Sequence, residues 1–401
     1  MLFGIFGSDA IGQIISVVAF FALFFFYPRL MVTQIMLKLE RSQALLESYS
    51  KKGTKIVKKK MKNSKDKDVD QKIDDFLDFF VSTPVNLDPY GIVKKYEHII
   101  DLEKERFEYF VDQEIPEESD EYKANVVMGL SGAMTLNQLY KVVRHYVETI
   151  KKTKAYNLAM IIQMQMPMIE KMAKGYLKGT EALANGWPVG DTIGPFIAAQ
   201  LIDDSKTSVV KDRTIVCKKK LENKDVILMK ARGPGGRLGD IGRILNEIGS
   251  KEKISKIITV DAAAKLEGEK TGTVNEGVGV AMGGIGVERT YIEDYAVKKK
   301  IPLDAVIVKM SQEEAIMPMR EEVLDAHEKA IGFVKESIHR TNKPGKIIIV
   351  GVGNTSGVGN NKKEADSTIP LIRKLAKKIK EREELEKKKR NKFNFFRKKS
   401  E

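Results

Sequence analysis

Two glycine stretches stand directly behind apolar strand candidates, and they carry the first hint of chemistry. Arg232-Gly-Pro-Gly-Gly-Arg-Leu-Gly239 follows the run 225–231, and Gly351-Val-Gly-Asn-Thr-Ser-Gly357-Val-Gly359 follows 346–350. Both read G-x-G-x-x-x-G. Glycine there lets the backbone turn with positive φ, and its N–H groups can approach an anion closely. Arg232 and Arg237 would add charge-assisted bonds to the same anion. The candidate ligand-binding residues at these loops are Arg232, Gly233, Gly235, Gly236, Arg237, Gly239, Gly351, Gly353, Asn354 and Gly357. The ligand class they suggest is a phosphorylated small molecule or nucleotide, held at the carboxyl ends of strands. The competing explanation is that these glycines serve only tight turns and close helix–sheet packing.

The pattern departs from the dinucleotide fingerprint, whose third glycine comes one residue sooner and whose acid ends the next strand. After Gly351 no further strand remains to carry that acid. Gly268-Glu-Lys-Thr-Gly272 echoes a phosphate-loop ending but lacks its upstream spacing. Other polar residues fall at predicted strand ends: Asp261, Lys265, Lys270, Lys309 and Ser311. Lys265 and Lys309, near carboxylates, have the chemistry of general acid–base or anion-holding groups, although Lys/Glu mixtures also make ordinary surfaces. No cofactor is specified. A single cysteine, Cys217, and four histidines never closer than 12 positions exclude disulfide frameworks and multi-Cys or histidine metal motifs.

Something must position these loops. Apolar runs predict strands over 213–219, 225–231, 256–260, 305–309 and 346–350, alternating with helices over 240–248, 287–299, 318–340 and 366–389. Such alternation predicts a mainly parallel sheet covered on both faces, a three-layer α/β domain of Rossmann-like type over 206–386. Before it, 70–205 reads as helical: 74–81, a break at Pro84, a cap at Asp88, then 89–113, 117–152, a methionine-rich segment and 191–201. The methionines (Met160, Met164, Met166, Met168, Met172) read as pliable core.

The amino end carries a different signal. Asp9 and Arg29 bracket 19 uncharged residues that include Val17-Val-Ala-Phe-Phe-Ala-Leu-Phe-Phe-Phe26. A helix of that length reaches roughly 28 Å, close to the hydrocarbon thickness of a bilayer. The expectation is an N-terminal transmembrane helix over 1–29. A stalk helix and polybasic linker then cover 30–69. With no Lys or Arg before the span and many after it, the N-terminus would lie outside and the bulk in the cytoplasm of a single-pass cell-membrane protein. The net charge of +14 is concentrated: nine Lys and one Asp lie between Lys51 and Lys67, and six Lys and two Arg between Lys387 and Lys399. Two unstructured basic segments (the second being the tail 387–401) suit contact with an anionic leaflet better than specific nucleic-acid binding. A protein partner is left unspecified.

Five motifs in order, Pro84-Val-Asn-Leu-Asp-Pro-Tyr-Gly-Ile, Pro188-Val-Gly-Asp-Thr-Ile-Gly-Pro, Lys230-Ala-Arg-Gly-Pro-Gly-Gly-Arg-Leu-Gly, Asp261 with Lys265-Leu-Glu-Gly-Glu-Lys-Thr-Gly, and Gly351-Val-Gly-Asn, resemble an archaeal, membrane-anchored family of unknown function. The likeness covers nearly the whole chain and implies no activity. Locally, the strand ending Gly351-Val-Gly-Asn354 is similar to the opening of hydrogenase-maturation endopeptidases, in which the loop continues to an acidic pair. Here Gly359 and Asn360 stand at those positions. Three functions therefore compete: a phosphate- or nucleotide-binding protein, a non-enzymatic scaffold that recruits a partner, and a relict or divergent maturation-type peptidase.

Overall fold

The computed structural model describes residues 10–62, 64, 66–79, 91–203, 207–210, 213–281 and 286–399. The chain begins with helices α1 (Ala10–Lys60), α2 (Val69–Phe76), α3 (Ile92–Glu114), α4 (Asp120–Thr153) and α5 (Tyr156–Ala184). The 1–9 segment, the break at Pro84 and the cap at Asp88 lie outside the described residues.

The expected membrane anchor is overturned. Among the described residues no helix is long and apolar enough to cross a membrane. The apolar stretch is not a bounded span: it opens a 51-residue helix that continues through Arg29, Lys38 and Arg41 to the lysines at its end. The single-pass topology and the membrane localisation built on that span fall with it. Much of the two basic segments is helical, although the described residues between Lys60 and Val69 are turn or irregular. Lys51 to Lys60 belong to α1, and the final helix runs to Lys399.

Two compact units divide the chain, Met1–Lys51 with Thr135–Lys174, and Lys52–Met134 with Gly175–Glu401. In the first, helical periodicity buries Ile35, Leu39 and Leu46 on α1 and Val143, Val147 and Ile150 on α4. Lys151 pairs with Glu40 at 3.0 Å across these helices. The methionines of α5 depart from expectation. Met166 is buried, but Met160, Met164 and Met168 are exposed, because they share the outward face of the helix.

The second unit holds a small helical cluster and the sheet. Ile73, Phe107, Val111, Val126 and Leu130 pack with Val57 and Met61, and Phe76 stacks on Phe110 with ring centroids 4.4 Å apart. After a 3-10 turn (Gly190–Thr192) and α6 (Ile193–Gln200) come β1 (Thr207–Val210), β2 (Thr214–Leu221), β3 (Lys224–Ala231), α7 (Ile241–Lys251), β4 (Ile254–Ala264), β5 (Val274–Val278), α8 (Val287–Lys299) and β6 (Leu303–Met310). Then follow α9 (Gln312–Ile316), α10 (Glu321–Leu324), α11 (His327–His339), β7 (Lys346–Gly351) and α12 (Lys362–Lys399). The expected helix over 318–340 is thus two helices.

Among the described residues seven strands form one sheet in the order β1-β2-β3-β7-β4-β6-β5. β3, β7, β4 and β6 are parallel, whereas β2 and β5 run against them on the two sides, and β1 pairs antiparallel with β2 at the edge. The fold is α/β with a mixed, mostly parallel sheet and a helical region. Continuous apolar runs form the central strands because both faces are covered. Ile258, Val260, Ile347 and Ile349 face a core shared with α6, α11 and α12. Ile257, Ile348 and Val350 face one shared with α7 and α8. Each such side chain taken out of water stabilises by about 1.5–3 kcal/mol.

Adjacent strands β3 and β7 therefore send the chain to opposite faces, through α7 and α12. This is the topology that opens a crevice at the carboxyl ends in doubly wound sheets.

Candidate functional site

The two glycine loops meet at that place and hydrogen-bond to one another. Thr355 Oγ1 lies within hydrogen-bond distance of the carbonyl oxygens of Arg232 (3.0 Å), Gly235 (2.7 Å) and Arg237 (3.2 Å). The N–H of Gly357 donates to Pro234 O at 2.8 Å and that of Thr355 to Arg237 O at 3.1 Å. The donors expected to meet a phosphate have protein partners. Gly233 N–H donates to Asn360 Oδ1 at 2.8 Å, Gly235 N–H to Glu121 Oε2 at 2.9 Å and Gly236 N–H to Asn125 Oδ1 at 2.9 Å. Arg237 pairs with Glu121 at 2.5 Å and Arg232 with the same carboxylate at 3.4 Å. The start of α4 thus caps the first loop with an acid and an amide, where the sequence suggested an exogenous anion.

Glycine is needed here for close approach. A methyl on Gly233 would run into the carbonyl oxygen of Val358, and one on Gly353, whose φ is 127°, into that of Asp191.

One strand further on, the accounting changes. In the parallel register, Gly351 of β7 stands between Lys230 of β3 and Val260 of β4. Asp261, 3% exposed, follows within β4, which runs on past the expected end at 260 and stays paired with β6 to Ala264. Its Oδ1 accepts from the N–H of Ala262 at 2.6 Å, while its buried Oδ2 has no hydrogen-bond partner. Asp191 approaches from the 3-10 turn, which the N–H of Gly190 ties to Met317 O at 3.0 Å. Asp191 Oδ2 accepts from the N–H of Asn354 at 2.7 Å. Asn354 is buried, its Oδ1 accepting from Ser356 N–H at 2.8 Å, and its Nδ2 has no partner.

No ion pair joins either aspartate to a Lys, Arg or His among the described residues. Burial pushes the Asp191 carboxyl up, opposed by the Asn354 N–H. Burial, together with the nearby Asp191 charge, pushes Asp261 well above the usual carboxylate range.

Lys230 is fully buried at the end of β3. Its ammonium reaches Ala231 O at 2.9 Å, Gly359 O at 3.0 Å and Asn360 Oδ1 at 3.3 Å. Loss of water lowers its pKa to about 7, with Glu364 acting in the other direction. The lysine thereby anchors the far end of the second glycine loop.

The remaining predicted residues belong to a separate rim past β4 and β6. Lys265 donates to Thr271 Oγ1 at 2.9 Å, which donates to Glu314 Oε2 at 2.8 Å. Glu314 also accepts from Ser311 N–H at 2.9 Å. Lys309 is paired with Glu269, and Lys270 is exposed. These groups bond to one another and do not converge on Asp261. Among the described residues no group of three or more His, Cys, Asp or Glu is placed to hold a metal ion.

Sequence reasoning missed Asp191, Glu121, Asn125, Thr355 and Lys230. Lys230 had a visible signal, a lone charge in Val226-Ile-Leu-Met-Lys-Ala231, where every neighbour must be buried. Asp191 had one too, an acid just before the strongly apolar Ile193-Gly-Pro-Phe-Ile-Ala-Ala199. Asn360, at the position where the peptidase likeness wants an acid, is spent on Gly233, accepting from its N–H and donating to its carbonyl at 2.9 Å.

Two family models match. Residues 13–186 match "Protein of unknown function (DUF1512) N-terminal domain", and residues 189–359 match "Domain of unknown function (DUF1512) C-terminal". No curated protein and no solved structure matches the chain. The chain belongs to the DUF1512 family.

Proposed function

We propose that the α/β part of this DUF1512 protein binds a small polar molecule at the carboxyl ends of β4 and β7, against Asp191, Asp261 and Asn354. Family membership brings no activity with it, so the reading rests on the residues. The observation that carries it is the pair of buried atoms without partners, an acceptor at Asp261 Oδ2 and a donor at Asn354 Nδ2. Each such group costs about 1–3 kcal/mol when left unpaired, so a partner from outside the chain (a ligand, an ion or an ordered water) is expected there.

A phosphorylated ligand or nucleotide in the glycine loops has less support, since the N–H groups of Gly233, Gly235 and Gly236 already donate to side chains. A thermal-shift panel of nucleotides, dinucleotides, sugar phosphates and neutral amides tests both. The expected result is stabilisation by a neutral compound that Asp261→Asn abolishes. Stabilisation by nucleotides that survives Asp261→Asn would instead return the site to the loops.

A second reading, the scaffold that recruits a partner, is favoured by one observation in the first unit. Met160, Ile161, Met164 and Met168 expose an apolar stripe on α5, Met164 at 78%. A pull-down with Met164→Glu as control tests it: a stoichiometric partner lost in the variant supports the scaffold, and equal recovery with both chains opposes it.

A further inference from the structure

We propose that the end of α12, over Lys387–Lys399, is a docking surface for an anionic lipid leaflet, on which it lies in the plane of the headgroups without crossing the bilayer. α12 is packed in its first part. Ala365 and Ile372 are buried in the sheet core, and Glu383 lies 3.4 Å from Lys178 and 3.7 Å from Arg320. Beyond it Glu384, Leu385 and Lys388 are exposed. The helix nevertheless continues to Lys399, about 24 Å further at roughly 1.5 Å per residue.

Charge changes along this one helix. Residues 377–386 hold four cations and four acids, whereas Lys387–Lys399 hold six Lys and two Arg with no acid. Lys387 and Arg390 stand three apart, and Lys388 and Lys392 four apart, spacings at which like charges oppose a helix. The helix dipole favours cations only in the last turn. A helix charged in this way is stabilised by anions brought from outside. The earlier basic stretch differs, since its lysines have partners at hand. Lys51 pairs with Glu47 at 2.6 Å and Lys58 with Asp74 at 2.8 Å, and Lys60 lies over the Tyr122 ring.

The aromatic residues decide between kinds of polyanion. By helical register, Phe393, Phe395 and Phe396 fall within one half of the helix, together with Lys388, Lys389 and Lys392. From Lys387 onward the other half carries only Lys, Arg and Asn. Such a division suits a helix at a lipid interface. Rings seat at the boundary of headgroups and acyl chains, while lysine stems run along apolar surface to charged heads in water. Anionic headgroups attract each Lys or Arg that comes within a Debye length. A single-stranded nucleic acid would instead be tracked by a groove with stacking rings, which one helix does not form.

The experiment is co-sedimentation of the full chain with vesicles of phosphatidylcholine alone and of three parts phosphatidylcholine to one part phosphatidylserine. The wild type should bind the mixed vesicles about tenfold or more tightly than the neutral ones, a preference that high salt removes. The variant with Lys388→Glu, Lys389→Glu and Lys392→Glu should lose that preference. The variant with Phe393→Ser and Phe396→Ser should bind the mixed vesicles about tenfold more weakly. Both should keep the thermal transition of the wild type. Equal binding to the two kinds of vesicle, or wild-type binding by the charge-reversed chain, would overturn the docking surface. Unchanged binding by the phenylalanine variant would overturn the in-plane helix. A single-stranded RNA oligomer, added at equal phosphate concentration, should leave the protein on the mixed vesicles. RNA that strips the wild type from them would overturn the lipid assignment in favour of a nucleic acid.

Discussion

At the junction of β3 and β7, Gly233, Gly235, Gly236 and Arg237 donate their N–H groups to partners within the chain. On the β4 side, Asp261 Oδ2, Asn354 Nδ2 and Ser356 Oγ are buried with none. The two places lie side by side on one sheet, and only the second retains unused hydrogen-bonding capacity. Glycine-rich loops at strand ends therefore mark two different things. They bring backbone within reach of a ligand, or they bring backbone within reach of backbone. The partners of the N–H groups decide which.

The largest expected effect tests whether the loop junction is packing. Gly233→Ala places a methyl against the Val358 carbonyl and should cost about 4 kcal/mol or more, or prevent folding, as read by urea denaturation or soluble yield. A well-folded Gly233→Ala chain would mean that the junction is loose enough to admit a ligand.

Next comes pH. Between about 7 and 10.5 the unfolded chain holds a proton on Lys230 that the folded chain has released. Stability should therefore climb as pH rises through that window, by up to about 1.4 kcal/mol per pH unit for one proton. Lys230→Met should flatten the slope, and equal slopes in both proteins would show the lysine charged throughout.

Asp261 acts in the opposite sense. Its raised folded-state pKa means that its contribution is full below the ordinary carboxyl range and is lost as pH climbs through the raised value. At pH 7, Asp261→Asn should stabilise by about 1–3 kcal/mol while removing ligand response, the exchange of stability for function expected at a strained site. A lower Tm in that variant would place Asp261 among the structural groups, with Glu121.

The smallest effect sharpens the contrast from the other direction. Glu121→Gln loosens Arg232 and Arg237 and should cost about 1 kcal/mol, without any new stabilisation by inorganic phosphate. Phosphate stabilisation appearing in Glu121→Gln would reveal a latent anion site beneath the acid.

Much of the sheet was legible because its central strands are buried on both sides and so read as unbroken apolar runs. The β3 expectation began one residue from the observed strand, and β7 ended one residue short. β1 and β5 were missed since Thr207-Ser-Val-Val210 is short and Asn275-Glu-Gly277 has neither alternation nor bulk. The apolar amino-terminal run was read by itself, whereas its helix is set by good helix formers that continue past Arg29 to Lys60.

At the site, Asp261 and Asn354 were found because they stand just behind the predicted strands 256–260 and 346–350, a local property, although β4 itself runs on to Ala264. Asp191 and Glu121 could not be tied to them. Asp191 meets Asn354 across 163 residues of chain, and Glu121 meets Gly235 across 114. Nothing in a strand's own pattern says which distant side chain will consume its donors.

The sheet order has one more consequence. Its two outermost strands are short, four residues in β1 and five in β5, and β5 carries Glu276 and Gly277 in its middle. Rims so brief offer a stray extended chain few rungs to climb, so the long apolar strands in the centre are shielded from zipping laterally into a neighbouring molecule's sheet.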